Sequence, residues 1–287
     1  MRIVVIGSTG QLGQDLMKTL PQGHDVLALK HQDIEVTDLG SVAGLKAQKP
    51  DVIINTAAFH KTDQLEDEPL KGFSVNAIGP KNVTSVSKEV GATSVFISTD
   101  YVFSGSKGQP YVEDDVPDPI NTYGISKLAG ELFTKQNPRH YVFRVASLFG
   151  VAGASGKGGN FVETMLAKAQ KNEPISVVGD MWMSPTYTHD AAETIWKVLE
   201  KQLPFGTYHL TNGGQCTWFQ FTQEIFRLMG LSPDLKMIET SQMQTKAKRP
   251  LYSALRSTKL SEHGLEMRSW QEALRAYLLE KGHLTQP

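Results

Sequence analysis

The chain contains one cysteine, Cys216, among its 287 residues, so it can form neither an intrachain disulfide nor a thiolate metal cluster. Such a chain is compatible with a reducing compartment. The formal net charge of −1 gives no reason to expect a nucleic acid or an anionic membrane as partner. No stretch approaches the roughly 18 apolar residues that cross a bilayer, and we find no targeting segment. We therefore expect a cytoplasmic protein whose partner is a small molecule.

The first half of the sequence alternates short β-branched runs with longer amphipathic segments, a pattern typical of a parallel sheet covered by helices on both faces. The runs predicted as strands are Arg2 to Ile6, Asp25 to Leu29, Val52 to Asn55, Thr93 to Ser98 and Tyr141 to Val145. Crossover helices are predicted from Leu12, Leu16 and Leu20, and from the segment between Phe73 and Val90. The sequence thus predicts an α/β fold of the Rossmann type, with a doubly wound parallel sheet.

A glycine-rich turn, Gly7-Ser8-Thr9-Gly10-Gln11-Leu12-Gly13, follows the first predicted strand directly. Gly7 allows a tight turn out of the strand, Gly10 lets a pyrophosphate approach the backbone, and Gly13 lets the helix pack on the strand. The phosphates would lie at the positive end of that helix. A lone glycine triad is a weak signal, but its place after an aliphatic strand favours a dinucleotide site over an ordinary strand-to-helix turn.

The end of the second strand should select the dinucleotide, because an acid there binds the ribose 2′-hydroxyl and a cation accommodates a 2′-phosphate. The strand ends in Leu29-Lys30-His31, without a carboxylate at that point. Lys30 therefore favours NADPH, whereas Asp33 and Glu35 lie close enough in sequence to leave NADH open. After the third strand, the small residues of Asn55-Thr56-Ala57-Ala58 would let the backbone pass close to the cofactor.

Tyr123 and Lys127 lie four residues apart, so a helix would place them on one face. A nearby ammonium would lower the phenol pKa from its ordinary value near ~10 toward the range of a general acid. Thr99 and Asp100 end the fourth strand, beside this helix. We predict that Tyr123 gives a proton to a developing alkoxide, that Thr99 donates a second hydrogen bond, and that Lys127 also binds the nicotinamide ribose. Taken alone, the pair is more often a packed ring and a snorkelling lysine.

The pattern is looser beyond Gly150, where the segment from Gly153 to Gly159 holds four glycines. The elements predicted there are a helix at Phe161, Met165 and Leu166, strands at Ile175 to Val178 and Tyr208 to Leu210, and helices opening at Asp190 and spanning Trp218 to Met229 and Trp270 to Leu279. We expect residues 1–150 to form the NAD(P)-binding domain, with a segment near 180–200 returning to it. Residues 151–287 should form mainly a smaller α/β substrate-binding lobe.

These motifs together resemble the dTDP-4-dehydrorhamnose reductase family, within the extended short-chain dehydrogenase/reductase superfamily, over nearly the whole chain. The matching runs are Gly7 to Gly13, Asn55 to Ala58, Ser98 to Gly105, Tyr123 to Glu131, Asn160 to Leu166, Ser184-Pro185-Thr186 and Arg249-Pro250. The glycines and the Tyr/Lys pair mark only the superfamily, whereas the Ser-Thr-Asp-Tyr-Val-Phe run, the Asn-Phe-Val helix and the Arg-Pro pair are specific to this family.

The resemblance implies reduction of the C4 ketone of a nucleotide-linked sugar, dTDP-4-dehydro-6-deoxy-L-mannose, to dTDP-L-rhamnose. It implies that Thr99, Tyr123 and Lys127 are catalytic and that Asp100 contacts the sugar. The residues that it places at the cofactor are Gly10, Gln11, Leu12, Glu35, Val36, Ala57, Ala58, Phe59, Tyr123 and Lys127.

The chain departs from the family where the sugar should lie. The family usually has Arg-Thr-Ser-Trp after the fifth strand, with a tryptophan that lines the sugar pocket, whereas this chain ends the same segment in Ser147. Trp182 is the candidate that would fill the missing aromatic place. Some members bridge a homodimer through Mg²⁺ with an acidic residue on the first helix. Asp15 occupies that position, and we expect a solvated surface carboxylate there, with a homodimer left open.

Two other functions stay open on the sequence alone. Members of this branch also act as dinucleotide-binding regulatory subunits, as in methionine adenosyltransferase, although the intact Thr99, Tyr123 and Lys127 favour catalysis. A reductase or epimerase of another nucleotide sugar is the second alternative. No histidine has metal-ligand spacing, and isolated histidines such as His140 and His209 are expected to be structural or surface groups.

Overall fold

The computed structural model of the chain describes residues 1–153 and 159–285. The strands in this part are β1 Arg2–Ile6, β2 Asp25–Leu29, β3 Val52–Asn55, β4 Thr93–Thr99, β5 His140–Val145, β6 Leu148–Phe149, β7 Ile175–Val178, β8 Trp182–Met183, β9 Thr186–Tyr187, β10 Gly206–His209, β11 Cys216–Thr217 and β12 Leu235–Ile238. The α-helices are α1 Gln11–Lys18, α2 Leu39–Ala43, α3 Thr62–Asp67, α4 Pro69–Phe73, α5 Gly79–Val90, α6 Thr122–Thr134, α7 Phe161–Gln170, α8 Thr188–Glu200, α9 Trp218–Met229, α10 Thr258–Glu262 and α11 Trp270–Glu280.

Six parallel strands form the central sheet in the order β2-β1-β3-β4-β5-β10. The chain runs from β1 to β2 on one side and then crosses to β3 on the other, so the carboxyl ends of β1 and β3 border a crevice at the topological switch point. This order confirms the predicted doubly wound sheet of the Rossmann type. The first three predicted strands have the predicted bounds, while β4 and β5 are each one residue longer.

Alternate residues of β1 point to opposite faces of the sheet, as the period of a strand requires. Ile3 and Val5 pack against side chains of α1 and α8, whereas Val4 and Ile6 pack against α5. All four are at most 2% exposed. Burial on both faces explains why this strand is a continuous aliphatic run rather than an alternating one.

A second apolar cluster lies outside the central sheet and joins α7, α9 and α11. Its aromatic members include Phe149, Phe221 and Tyr277, with Phe149 centred 5.6 Å from Phe221 and 5.5 Å from Tyr277. Two-stranded pairs, β7 with β12 and β8 with β11, flank this cluster. Among the described residues, no helix combines the length and the apolar content that crossing a membrane requires.

Several predicted elements differ in their bounds or place. α1 ends at Lys18, so Leu20 lies beyond the helix, although it still packs on the same core. The single helix predicted from Phe73 to Val90 is interrupted, because a π-helical turn at Ser74–Ile78 separates α4 from α5. The strand predicted at Tyr208 to Leu210 is β10, which pairs with β5 as an outer strand of the central sheet. Most of the segment from Gly153 to Gly159 lies outside the described residues.

Helix α6 is attached to the sheet by a buried ion pair. The Arg144 guanidinium on β5 donates two hydrogen bonds of 2.8 Å to the Glu131 carboxylate on α6, and Ser98 on β4 donates a third of 2.6 Å. Burial alone would raise the pKa of Glu131, but the hydrogen bonds and charge of Arg144 hold it below its ordinary value. His209 lies beside Arg144 at 3.5 Å, and burial lowers the pKa of this histidine to about 4, so it is a neutral structural group.

We expect Arg144→Met to reduce the free energy of unfolding by about 3–5 kcal/mol, because it leaves the Glu131 carboxylate buried without its partner. Urea unfolding followed by circular dichroism measures this loss. Arg227→Met is the matched control, since Arg227 pairs with Glu224 on the surface, where solvent screens the pair, and the substitution should change stability little. Equal losses in the two variants would show that the buried pair does not anchor α6.

Candidate active site

The glycine turn after β1 is packed too tightly for a side chain. A Cβ atom at Gly13 would lie 2.2 Å from the carbonyl oxygen of Gly7, and one at Gly7 would lie 2.5 Å from Thr56 Oγ1. Gly7 also has a φ of +81°, in the region that favours glycine. These contacts hold the end of β1, the start of α1 and the loop after β3 together at the switch point.

The first turn of α1 is open to an anionic group. Gly10 is its N-cap residue and makes no side-chain capping bond, so no side chain occupies the first N–H groups of the helix. The side-chain nitrogen of Gln11 is buried and has no hydrogen-bond partner among the described residues, while Leu12 is buried against the core. Free backbone donors at the positive end of a helix suit a pyrophosphate.

The end of β2 lies against this turn. The carbonyl oxygen of Leu29 accepts hydrogen bonds of 2.9 and 3.0 Å from the N–H groups of Gly7 and Ser8. Lys30 follows directly and is exposed, and within residues 1–153 and 159–285 its ammonium has no carboxylate partner. A free cation therefore lies next to the dinucleotide turn.

The two acids that follow Lys30 in sequence are engaged locally. Asp33 accepts a hydrogen bond of 2.8 Å from the Lys30 N–H, and Glu35 accepts bonds of 3.0 and 2.8 Å from the N–H and hydroxyl of Thr37. The hydrogen bonds from Thr37 lower the pKa of Glu35. Val36 is a core residue that packs with α5. Neither carboxylate therefore offsets the charge of Lys30.

The loop after β3 is fixed to the π-helical turn and, through it, to α6. Ala57 N–H donates to the side-chain oxygen of Asn55 at 3.0 Å, and Phe59 N–H donates to the side-chain oxygen of Asn76 at 2.8 Å. The Asn76 amide donates in turn to the Phe59 carbonyl at 2.9 Å and to Ser126 Oγ at 3.0 Å. Asn76 thus ties the Ala57–Phe59 loop to α6, a role that its place in an apolar helical pattern did not reveal.

Three polar side chains meet at the carboxyl end of β4. The Tyr123 phenol, on the first turn of α6, is hydrogen-bonded to Thr99, whose hydroxyl donates to Asp100 at 3.0 Å. The Ser253 hydroxyl donates to Asp100 from the other side. Burial raises the pKa of Asp100 to about 6, against the lowering effect of these hydrogen bonds. The structure therefore joins Thr99, Asp100 and Tyr123 as predicted, and adds Ser253, which no sequence pattern marked.

Lys127 is placed differently from the prediction. This residue is 2% exposed, and its ammonium donates to the Ile97 carbonyl oxygen at 2.5 Å and lies 4.1 Å from the centre of the Phe96 ring. Burial lowers the pKa of Lys127 to about 7, with Glu131 acting in the opposite direction. Burial raises the pKa of Tyr123 above its ordinary value. The predicted lowering of the phenol pKa by Lys127 is wrong for this structure, because the ammonium is directed into the sheet.

The start of α6 is held by a late segment of the chain. Asn121 caps the helix by accepting the Gly124 N–H at 2.8 Å, and its amide donates to the Lys248 carbonyl at 2.9 Å. The neighbouring Arg249 donates to Asp63 on α3 at 3.0 Å. An asparagine before a predicted helix is a recognisable cap, but its contact with Lys248 depends on the fold.

The predicted aromatic replacement faces another ring. Trp182 stacks on Tyr252 with ring centres 5.9 Å apart, and its carbonyl accepts the Ser253 N–H at 2.9 Å. Among the described residues, no hydrogen bond or ring contact joins Trp182 to Thr99 or Tyr123. Its contact with a sugar therefore stays a prediction. Ser147, where the family tryptophan would be, has a φ of +43°, which is uncommon for a residue with a side chain.

Asp15 is buried at 4% exposure, so the expectation of a solvated surface carboxylate is wrong. It accepts a hydrogen bond from the Thr188 hydroxyl, and burial raises its pKa. Nearby Glu280 pairs with Lys18 and accepts a hydrogen bond from Tyr187. Hydroxyl groups and an ammonium hold these carboxylates, and the described residues contain no group of three or more His, Cys, Asp or Glu that could hold a metal ion.

Taken together, the crevice can hold a dinucleotide and polarise a carbonyl. The residues that would hold the dinucleotide are those of the glycine turn, Lys30 and the loop from Ala57 to Phe59. Beside them lie the hydroxyls of Thr99 and Tyr123, and one carbonyl oxygen can accept from both once Thr99 releases Asp100. Such an arrangement suits addition of a hydride to a carbonyl carbon with proton transfer to its oxygen.

Comparison with known proteins gives consistent matches over the full length. The sequence profile of the family described as the RmlD substrate binding domain matches residues 1–282. The spore coat polysaccharide biosynthesis protein SpsK of Bacillus subtilis (strain 168) is 39% identical and covers 98% of each chain. The dTDP-4-dehydrorhamnose reductase of Mycolicibacterium smegmatis is 36% identical over 95% of this chain and 84% of the relative. A crystal structure of dTDP-4-dehydrorhamnose reductase from Bacillus anthracis str. Ames in complex with NADP has a TM-score of 0.92 and 37% identity, covering 97% of this chain and 99% of that chain.

We expect Lys127→Met to raise the free energy of unfolding by roughly 1–3 kcal/mol at a pH of about 6.5, and by less at a pH of about 9.5. The folded-state pKa of Lys127, about 7, lies below its unfolded value, so the unfolded state binds more protons between the two values. The cost of burying the ammonium is complete below pH 7 and disappears as the pH rises toward the unfolded pKa. Urea unfolding at both pH values measures this.

The exposed Lys81 on α5 provides the control, since Lys81→Met should change stability little at either pH. A destabilised Lys127→Met protein, or a gain that is independent of pH, would contradict the assignment of a desolvated ammonium at this position.

Proposed function

The chain belongs to the dTDP-4-dehydrorhamnose reductase family, and we propose that it reduces the C4 ketone of dTDP-4-dehydro-6-deoxy-L-mannose to dTDP-L-rhamnose with NADPH. The observation that carries this proposal is the meeting of Thr99 and Tyr123 at the carboxyl end of β4, next to the glycine turn of a dinucleotide site. The similarity to the dTDP-4-dehydrorhamnose reductase of Mycolicibacterium smegmatis supports this reaction. The NADP complex of the Bacillus anthracis protein supports the cofactor.

The reaction converts a ketone to a secondary alcohol. The glycine turn, Lys30 and the loop from Ala57 to Phe59 would hold NADPH, which would supply the hydride that the C4 carbon gains and become NADP⁺. The Tyr123 phenol supplies the proton that the C4 oxygen gains, and the Thr99 hydroxyl donates a hydrogen bond to the same oxygen. The cap at Asn121 fixes the first turn of α6, which carries the Tyr123 phenol. The one proton of the Thr99 hydroxyl is donated to Asp100 in this structure, so Thr99 must turn away from Asp100 to donate to the C4 oxygen. Two donors at that oxygen lower the barrier by stabilising the developing charge.

Lys127 is assigned two tasks, stabilising the negative charge that develops on Tyr123 and binding the nicotinamide ribose. Its position one helical turn from Tyr123 supports both. Either task requires its ammonium to exchange the Ile97 carbonyl for a new partner, and a pKa of about 7 makes both protonation states accessible at neutral pH. Asp100 receives the sugar side of the substrate beside Ser253, and its pKa of about 6 keeps it mostly ionised above neutrality.

The substrate-binding and cofactor-binding tasks divide along the chain. We assign the dinucleotide to residues 1–150, supported by the segment 188–210 that packs on the same sheet, and the sugar nucleotide mainly to the remaining part of 151–287. A cytoplasmic location is consistent with the single buried cysteine. A homodimer stays a prediction, and a Mg²⁺ bridge through Asp15 is not part of the proposal.

Ser147 is the reason to test the sugar directly. A serine at this position removes a large ring from the family's sugar pocket, so a panel of nucleotide 4-keto sugars should be assayed by NADPH oxidation. We expect dTDP-4-dehydro-6-deoxy-L-mannose to have the highest kcat/KM. A higher kcat/KM for another sugar would leave the assigned reaction type unchanged but would identify that sugar as the substrate.

We expect Tyr123→Phe to lower kcat by about 10²–10⁴-fold, because it removes the proton donor while keeping the ring. NADPH affinity, measured by fluorescence titration, should stay within a few fold. Tyr208→Phe, at the far edge of the sheet, is the control and should keep its activity. If Tyr123→Phe retains more than a tenth of the wild-type kcat, the phenol is not the proton donor.

We expect a preference for NADPH over NADH, and Lys30→Asp should shift it toward NADH by about 1–2 kcal/mol, the scale of a hydrogen bond to a charged group. The ratio of kcat/KM for the two cofactors measures the shift. Lys30→Met separates the loss of the cation from the gain of a carboxylate, since it should lower kcat/KM for NADPH without raising it for NADH. Equal kcat/KM values for both cofactors in the unmodified protein would show that Lys30 does not select NADPH.

A further inference from the structure

A second cleft opens beside the outer strand β10. Its volume is about 470 Å³, within the range of about 300–1,000 Å³ that small-molecule sites occupy. Its walls come from the loop after β10, from the segment that follows Ser253 and from the turn after α10. The polar residues that face it include Thr211, Gln215, Arg256 and Glu266. None of Thr99, Asp100, Tyr123 and Lys127 lines it, so this cleft is separate from the catalytic side chains.

Several polar groups of this cleft have no partner within the protein. In the described part of the chain, neither the guanidinium of Arg256 nor the carboxylate of Glu266 has a hydrogen bond or an ion pair, and the two groups do not pair with each other. Thr211 is 4% exposed, yet its hydroxyl has no partner within the described residues. Gln215 accepts the Tyr252 hydroxyl at 2.7 Å, and that bond leaves its amide NH₂ group available.

Several polar groups nearby are paired within the protein. Arg268 donates to Asp190 at 2.9 Å, and Asn212, although it borders the cleft, donates to Asp190 at 2.7 Å and accepts the Tyr187 N–H at 2.8 Å. Lys259 on α10 pairs with Asp114 at 3.2 Å. Arg256 and Glu266 are therefore distinguished by their place on the walls of the cleft, where both remain available to a ligand.

We propose that this cleft binds a phosphorylated monosaccharide. The guanidinium of Arg256 matches a phosphate in charge and in the geometry of two parallel donors. The Glu266 carboxylate accepts hydrogen bonds from sugar hydroxyls, and Thr211 and Gln215 offer further polar contacts to them. The same carboxylate disfavours a second phosphate at its end of the cleft, so the ligand carries one anionic group. This site is independent of the reductase assignment.

The floor of the cleft connects it to the catalytic layer. Leu255 lines the cleft and packs in the buried cluster with Val102 and Phe103, directly below the end of β4. Gln215 holds Tyr252, next to Ser253, whose hydroxyl contacts Asp100. A ligand in the cleft therefore lies against the back of the segment that completes the catalytic site.

Isothermal titration calorimetry with glucose 1-phosphate tests the proposal on the full chain, with saturating NADP⁺ present. We expect saturable binding that Arg256→Ala weakens at least tenfold, while Lys259→Ala, a control cation one turn away on α10, changes it less than twofold. Glu266→Gln should weaken glucose 1-phosphate and leave inorganic phosphate unchanged or improved, because it removes a negative charge but keeps an acceptor. Melting temperatures should show that the exposed substitutions leave the fold intact.

Undiminished binding in Arg256→Ala would place the ligand elsewhere, including the catalytic crevice, and would overturn the proposal. An equal loss in Lys259→Ala would reduce the effect to general surface charge and would overturn it too. Absence of saturable binding in the unmodified protein has the same meaning. Arg256→Gln repeats the test if Arg256→Ala melts at a lower temperature. None of these outcomes bears on whether the chain reduces a sugar ketone.

Discussion

The buried pair of Glu131 and Arg144 fixes helix α6 on the sheet, and the geometry of the active site depends on that attachment. Tyr123, Lys127 and Glu131 follow each other at intervals of four residues, so one face of α6 carries the proton donor, the lysine and the anchor. The Glu131 carboxylate accepts hydrogen bonds from Arg144 on β5 and from Ser98 on β4. Ser98 is the residue before Thr99. The helix is therefore positioned against the strand that supplies the second catalytic hydroxyl.

Burying the charges of Glu131 and Arg144 away from water costs free energy. Two full charges without water stabilise a fold only when their hydrogen bonds are satisfied, and here three hydrogen bonds reach the carboxylate. Lys127 lies on the same helix face without a carboxylate of its own and contacts a carbonyl oxygen and an aromatic ring. The helix face thus combines a fully paired charge that secures the fold with a poorly solvated one that is available for chemistry.

Local patterns in the sequence were sufficient for the sheet and for half of the site. β1, β3 and β4 were predictable because burial on both faces favours uninterrupted apolar runs. The glycine turn was predictable because close backbone approach leaves no alternative residue at Gly7 and Gly13. The pairing of Tyr123 with Lys127 was predictable because residues four apart lie on one face of a helix. The direction of Lys127, the burial of Asp15 and the contact of Ser253 with Asp100 were not predictable, because each depends on which distant element packs there. The pairing of β10 with β5 was likewise not predictable, because the short run of β10 carries no signal of its neighbour.

The contact of Ser253 with Asp100 means that the catalytic site is completed late in translation. The glycine turn, Lys30 and the loop after β3 leave the ribosome early, and domains generally begin to fold from the N-terminal side. Ser253, whose hydroxyl reaches Asp100, is made later than all of these groups. A chain synthesised only to residue 250 therefore contains the glycine turn, Lys30, Thr99 and Tyr123 but lacks the hydroxyl that contacts Asp100, so its site for a ketone is incomplete.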